Sequence, residues 1–278
     1  EFILKIIGII TMTLDHVGLF LEGVENCETI SIIFRSIGRI AFPIFVFMII
    51  EGVKHTKNFR KYLHRLGVID AIIILFEIPL TIIAGFDFAL ACPFTDLILL
   101  ALIVKLLNNK NKTSFFAIIP ISYIILCTVL KDIELVNQEP IKFLPGFLRT
   151  DECLYGLILA LGFNYADNLI NLFMKSNDQT KNLDVQIHDQ KSKNIMSGVI
   201  IILLALVYYI YYKLMPIESI YQIIVFASFA AVPIFFYSGE RGYNKKWFKI
   251  FSYLYYPLHI VVIFIIMLLL GVIIWLNI

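Results

Sequence analysis

Apolar residues fall in blocks of helix length along the whole chain, near 3–21, 31–53, 66–84, 92–108, 114–131, 152–174, 196–213, 219–237 and 247–276. Crossing a hydrocarbon core of about 30 Å takes roughly 20 apolar residues, so this pattern predicts an all-α, polytopic integral membrane bundle of about nine transmembrane helices. The short alternating segments that a membrane β-barrel needs are absent. Pro43, Pro79, Pro233 and Pro257 lie inside these blocks. Each lacks a backbone donor and frees a carbonyl, so irregular backbone is expected there. Residues 175–195, KSNDQTKNLDVQIHDQKSKNI, are polar and aperiodic and read as a mobile cytoplasmic loop within one transmembrane domain spanning 1–278.

Composition supports the pattern. Of 278 residues, 60% are hydrophobic and 16% charged, with a mean hydropathy of +0.86, whereas a soluble domain carries about 25% charge. The chain is therefore expected in the cell membrane with the lipid bilayer as its solvent. A net charge of +2 gives no reason to expect a nucleic-acid partner. Where the cations lie is more informative. Lys54, Lys57, Arg60, Lys61 and Arg65 follow the second block, and Lys105, Lys110 and Lys112 the fourth. Lys175, Lys181, Lys191 and Lys193 follow the sixth, and Arg241, Lys245, Lys246 and Lys249 the eighth. The intervening loops hold few cations, and the first of them carries Glu22, Glu25 and Glu28. The positive-inside rule then places the N-terminus in the cytoplasm. The first block lacks a small-residue cleavage pattern, so it is read as a span rather than a signal peptide. Cys27, Cys92, Cys127 and Cys153 show no metal-ligand spacing.

Ionisable groups inside a span are costly and mark candidate functional sites. The first block holds Asp15 and His16, the second Arg35, Arg39 and Glu51, the third Asp70 and Glu77, the fourth Asp96 and the last His259. Counted from the cytoplasmic ends, His16, Arg39, Glu77 and His259 all come out at a depth of roughly 15 to 21 Å. A transporter and an enzyme would both need such a layer. An Arg39–Glu77 ion pair that fixes helix register, and a satisfied core histidine at position 16, are the structural alternatives. Asp15 lies about 100° from His16 round the helix and is expected to orient another group or to pair with Arg39 or Arg35.

Several strings carry a resemblance. LKIIGIITMTLDHVG (4–18), RSIGRIAFPIFVFMIIEGVKHTKNFRKYLHRL (35–66), FEIP (76–79), YSGERG (237–242) and YLYYPLH (253–259) occur in this order. Together they resemble the TraX family, membrane proteins associated with N-terminal acetylation of F-type conjugative pilin. Thr95 is similar to that family's Thr-Leu element, with Asp96 intervening, and Asp151, Tyr155 and Gly156 stand for its Asp-Tyr-Gly element at an altered spacing. Lys5, ten residues and then His16 also resemble the basic-x10-His spacing of the acyltransferase-three membrane family, in which a first-span His is catalytic. Eleven residues place Lys5 about 16 Å from His16 on nearly the same helix face.

The resemblance implies transfer of an acetyl group from cytosolic acetyl-CoA to an acceptor peptide N-terminus; a glycan or a lipid headgroup would satisfy the same chemistry. His16 is the expected base, because imidazole titrates near neutral pH. His259 is the second candidate, Arg39 would stabilise negative charge or position Asp15, and Glu77 would hold Arg39. Lys5, Lys61, Arg65 and Arg241 are the expected contacts for the phosphates of the donor, although all four also fit as ordinary cytoplasmic-face charges. A secondary transporter and a non-catalytic assembly factor are the other classes consistent with the pattern.

Overall fold

The apolar blocks are helical in the computed structural model, which describes residues 1–83, 93–109, 112–137, 141, 144, 148–174, 189–215, 220–243 and 245–270, with backbone alone at 76–83, 174, 220, 221 and 249. The helices are α1 (Phe2–Leu21), α2 (Glu28–Gly38), α3 (Ala41–His55), α4 (Phe59–Ile83), α5 (Pro93–Leu107) and α6 (Ile118–Asn137). They continue as α7 (Cys153–Asn164), α8 (Ala166–Met174), α9 (Gln190–Leu214), α10 (Ala231–Phe235) and α11 (Lys246–Leu269). Tighter 3-10 turns, Lys112–Ala117 and Ile220–Ala230, lead into α6 and α10. No strand occurs among the described residues.

Among the described residues, five helical stretches are long and apolar enough to cross a membrane: α1, α2 with α3, Lys112–Asn137, α9 and α11; the pair α7 and α8, bent by 68°, makes a sixth if it is one span. Of the other expected blocks, α5 is 15 residues long and Gln222–Phe235 is a shorter apolar helix, while the side chains of α4 from residue 76 onward lie outside the described residues. The loop expected over 175–195 also ends sooner. α9 starts at Gln190, because Asp189 Oδ1 accepts a bond from Ser192 N (3.2 Å) and caps the first turn, while 175–188 lie outside the described residues.

Large apolar side chains cover the outside. Leu203, Val207 and Ile210 of α9 and Leu254, Leu258 and Val262 of α11 are exposed, Leu258 by 54%. A surface of this kind suits hydrocarbon, and the chain is a multi-pass membrane protein.

The chain divides into two compact units. The first comprises 1–45, 162–214 and 218–278, and the second 46–161 and 215–217. In the first unit α1 and α2 form an antiparallel hairpin whose turn uses positive φ at Gly23 (78°) and Asn26 (62°). α11 packs along α1, and α9 packs on the segment 220–235. Along α11, Tyr256, His259, Ile263 and Met267 recur at three- and four-residue spacing, forming a buried stripe opposite the exposed one. Ile263 and Met267 close on Phe20, with Val17 and Leu21 beside them, so this stripe is what turns His259 toward α1. The second unit buries Ile50, Leu100, Ile103, Val104, Ile124 and Leu159.

Candidate functional site

The α1–α2 hairpin encloses a knot of charge. Arg35 and Arg39 stand four residues apart on one side of α2 and its C-cap, and both reach Asp15 of α1. Arg35 Nη1 donates to Asp15 Oδ2 (2.7 Å) and Arg39 Nη2 to Asp15 Oδ1 (2.6 Å), so each carboxylate oxygen takes one guanidinium. Arg35 Nε also donates to Glu22 Oε1 (2.9 Å) at the end of α1. Bonds between ionised partners are among the strong ones, and two acids here meet two bases. The approach is close because α2 ends in Gly38, where a Cβ would overlap the Asp15 carboxylate. Ser31 Oγ donates to Gly18 O (2.8 Å), holding the hairpin shut one turn away.

Arg39 occupies its place through a break in the second block. Residues 39 and 40 interrupt the helix, and α3 begins at Ala41. Pro43 has no N–H with which to reach the carbonyl of Arg39, which is where the ladder would have continued. The expected pairing of Asp15 with Arg39 or Arg35 is met by both arginines at once. Arg35, an intramembrane charge left out of the expected catalytic set, proves as central as Arg39. The side chain of Glu77 lies outside the described residues, and so does its expected pairing with Arg39.

On the opposite side of α1, His16 faces α11. His16 Nδ1 lies 2.8 Å from Met12 O, and His259 Nδ1 lies 3.0 Å from Tyr255 O, each ring bonding to the carbonyl one turn back in its own helix. The rings meet edge to face with centroids 4.8 Å apart, and His259 Nε2 is 3.3 Å from His16 Nδ1. Tyr255 stacks parallel on His259, with centroids 5.3 Å apart and 4° between planes. Its hydroxyl lies 2.8 Å from Thr13 Oγ1, while Thr13 Oγ1 donates to Ile9 O (2.7 Å). His259 is buried at 5% exposure, whereas His16 is only partly buried. The sequence names both histidines but not Thr13 or Tyr255. The four-residue step from Tyr255 to His259 is the one signal that could have marked the tyrosine.

The start of α1 lies against the YSGERG turn. Phe2 N donates to Arg241 O (3.3 Å), and Gly242, at φ 64°, brings its backbone against the Phe2 side chain. Asn194 Nδ2 donates to Tyr237 O (2.5 Å) and ties the same turn to α9. Lys5, whose Nζ lies 2.6 Å from Glu1 Oε1, and the exposed Arg241 therefore share one end of the first unit. Unbroken helix from Lys5 to His16 gives the separation of about 16 Å expected for them. Lys61 and Arg65 are exposed on α4, in the second unit.

The second unit holds polar groups of its own. Asp96 is fully buried, and its Oδ2 accepts from the backbone N–H of Asp151 (2.7 Å) and Glu152 (3.3 Å) at the start of α7. Thr95 Oγ1 donates to Asp70 Oδ1 (3.1 Å). Lys131 Nζ donates to Asp151 O (2.5 Å), and Arg149 Nη1 pairs with Glu134 Oε1 (2.6 Å). The Asp96 Oδ2, Lys131 and Arg149 bonds fasten the segment before α7, and Asp96 Oδ1 is buried with no partner among the described residues.

An all-helical chain with an apolar exterior and an ordered set of charges and imidazoles inside one unit is a membrane protein with an intramembrane polar site. Residues 2–135, just under half of the chain, match the family model described as TraX protein. The match includes Lys5, Asp15, His16, Arg35 and Arg39 and ends before Arg241 and His259. A "Probable fimbrial assembly protein FimC, serogroup H1" of Dichelobacter nodosus is 40% identical over 67 residues. That alignment covers 23% of this chain, and the chain spans only 26% of the relative. No solved structure matches.

Proposed function

We propose that this protein is a membrane acetyltransferase that moves an acetyl group from cytosolic acetyl-CoA to an amine or hydroxyl acceptor. The supporting observation is the contact between His16 and His259 in a polar layer one residue from the Asp15 knot. His16 takes the proton from the acceptor as its nitrogen or oxygen attacks the thioester carbonyl. The C–S bond then breaks, and the proton on His16 passes to the departing CoA thiolate. Arg39, fixed through Asp15, supplies positive charge beside the developing oxyanion. The acceptor is a peptide N-terminus, by way of the TraX match and of the relative whose name places it in fimbrial assembly.

Within the same proposal the N-terminus is cytoplasmic and the chain crosses nine times. The segment 220–235 supports that count. Eleven residues of 3-10 helix rising about 2.0 Å each, followed by α10 at about 1.5 Å each, reach close to 30 Å, the thickness of a hydrocarbon core.

Lys5 and Arg241 are the proposed phosphate contacts at the cytoplasmic end of α1. Arg241→Ala is expected to raise the Michaelis constant for acetyl-CoA about tenfold, the effect of losing one charge-assisted bond, with turnover changed less than twofold. Initial rates over a range of donor concentrations measure this, and an unchanged constant would remove Arg241 from the donor site.

The reading as a whole is tested with purified protein in lipid nanodiscs, labelled acetyl-CoA and a lysate from cells lacking the protein. Label on a pilus or fimbrial subunit is the expected result. Label on a glycan or lipid would keep the chemistry and replace the acceptor. No transfer and no donor binding would leave a non-catalytic assembly factor.

A further inference from the structure

The two histidines do not occupy equivalent positions, and their bonds show which of the four ring nitrogens is open. A backbone carbonyl can only accept. His16 Nδ1, 2.8 Å from Met12 O, and His259 Nδ1, 3.0 Å from Tyr255 O, must therefore both carry a proton. A neutral His259 then has a lone pair on Nε2, and that atom sits 3.3 Å from His16 Nδ1. The His16 N–H is thus shared between the Met12 carbonyl and the second imidazole, while its own Nε2 has no hydrogen-bond partner among the described residues. Thr13 Oγ1 spends its hydrogen on Ile9 O, so in the Thr13–Tyr255 contact the tyrosine hydroxyl donates. That bond joins α1 to α11 one helical turn before the imidazole pair, and the Tyr255 ring lies flat against His259.

We propose that His259 is a positioning residue, held by Tyr255 and Thr13, that fixes His16 in the Nδ1–H tautomer and so leaves His16 Nε2 as the one lone pair offered to a substrate. When Nε2 gains a proton, the ring becomes an imidazolium whose Nδ1–H bonds to Met12 O and His259 Nε2 strengthen. No proton needs to leave His259, and none of its atoms needs to touch the acceptor. By surface area His16 is partly exposed and His259 is buried, in the same direction as this division of labour. The catalytic meaning of this assignment rests on the acetyltransferase reading; the tautomer does not.

Two measurements separate them. Nitrogen-15 NMR of histidine-labelled full-length protein in nanodiscs reads the tautomer without any turnover. Of the chain's five histidines, the signals of the pair are assigned from His16→Gln and His259→Gln. The expected spectrum has His16 protonated at Nδ1 and bare at Nε2, with its Nδ1 signal displaced in His259→Leu. A proton on Nε2, or a His16 signal indifferent to His259→Leu, would overturn the proposal. In the kinetic arm, His259→Leu is expected to lower kcat about 10- to 100-fold, the scale seen when a group orienting a functional imidazole is lost. Acetyl-CoA affinity should stay within about twofold, which also shows that the variant is folded. His259→Gln places a carbonyl oxygen near the former Nε2 and is expected to recover most of the rate, and Tyr255→Phe, which keeps the stacked ring, to lose only a few-fold. Equal inactivity of His259→Gln and His259→Leu with donor binding intact would mean that His259 itself takes the proton. If the wild type transfers nothing while the NMR result holds, the acetyltransferase reading falls and the tautomer assignment survives.

Discussion

Alanine at position 16 is expected to lower acetyl transfer by about 10²- to 10⁴-fold, the usual contribution of a positioned general base, while acetyl-CoA affinity stays within about twofold. The two effects separate because of distance. The proposed phosphate contact at Lys5 lies eleven residues down the helix, roughly 16 Å from the imidazole, and Arg241 meets the chain at Phe2, further down still. Removing the ring also leaves His259 without its partner, but Tyr255 keeps its bond to Thr13 and Ile263 and Met267 still close on Phe20, so α11 should stay in place. Turnover of labelled acetyl-CoA and donor binding by calorimetry, both on protein in nanodiscs, measure the two quantities. Near-normal turnover would take the base away from His16.

Asp15→Ala is expected to be the most damaging single change to the fold of the first unit, at about 3–5 kcal/mol, the loss seen when one partner of a buried ion pair is deleted. Asp15 carries two guanidiniums, one on each oxygen, and is 14% exposed, so alanine removes the acceptor they share and leaves Arg35 with Glu22. Asp15→Asn should destabilise less than alanine but in the same direction, because an amide offers one acceptor to two cations. Gly38→Ala should act similarly without touching a charge, since its methyl would occupy the space of the carboxylate. Thermal unfolding in detergent compares the three variants. An Asp15→Ala protein as stable as the wild type would mean that the knot contributes little to the fold.

The helical character of the chain was legible because lipid demands it: backbone groups without water must bond within their own helix, and the apolar blocks record that demand. Their division was less legible. Hydropathy does not distinguish one span from two helices joined at Arg39 and Ile40, and Pro43 signalled only that some irregularity would follow. The common level of His16 and His259 was legible from depth, because counting along two helices puts both in one layer. What depth could not supply was azimuth. Asp15 was correctly turned away from His16, yet its bridge to both arginines depends on Gly38, whose meaning appears only when α1 lies against it. Tyr255 and Thr13 escaped notice because neither carries a charge, and a tyrosine in a span is as readily an ordinary packing residue. Asp96 drew attention for its charge, and one of its oxygens fastens the backbone just before α7, a pairing 55 residues distant that no local pattern encodes.

The charge knot closes within residues 15–39, whereas the imidazole pair joins positions 243 apart. A ribosome delivering this polypeptide to the bilayer therefore releases the first hairpin with its acids and guanidiniums already able to neutralise one another, which lowers the barrier to entry for four ionised side chains. The second imidazole emerges only with the last described helix. Forms shortened before α11 would then be inserted and charge-balanced but would lack the imidazole pair.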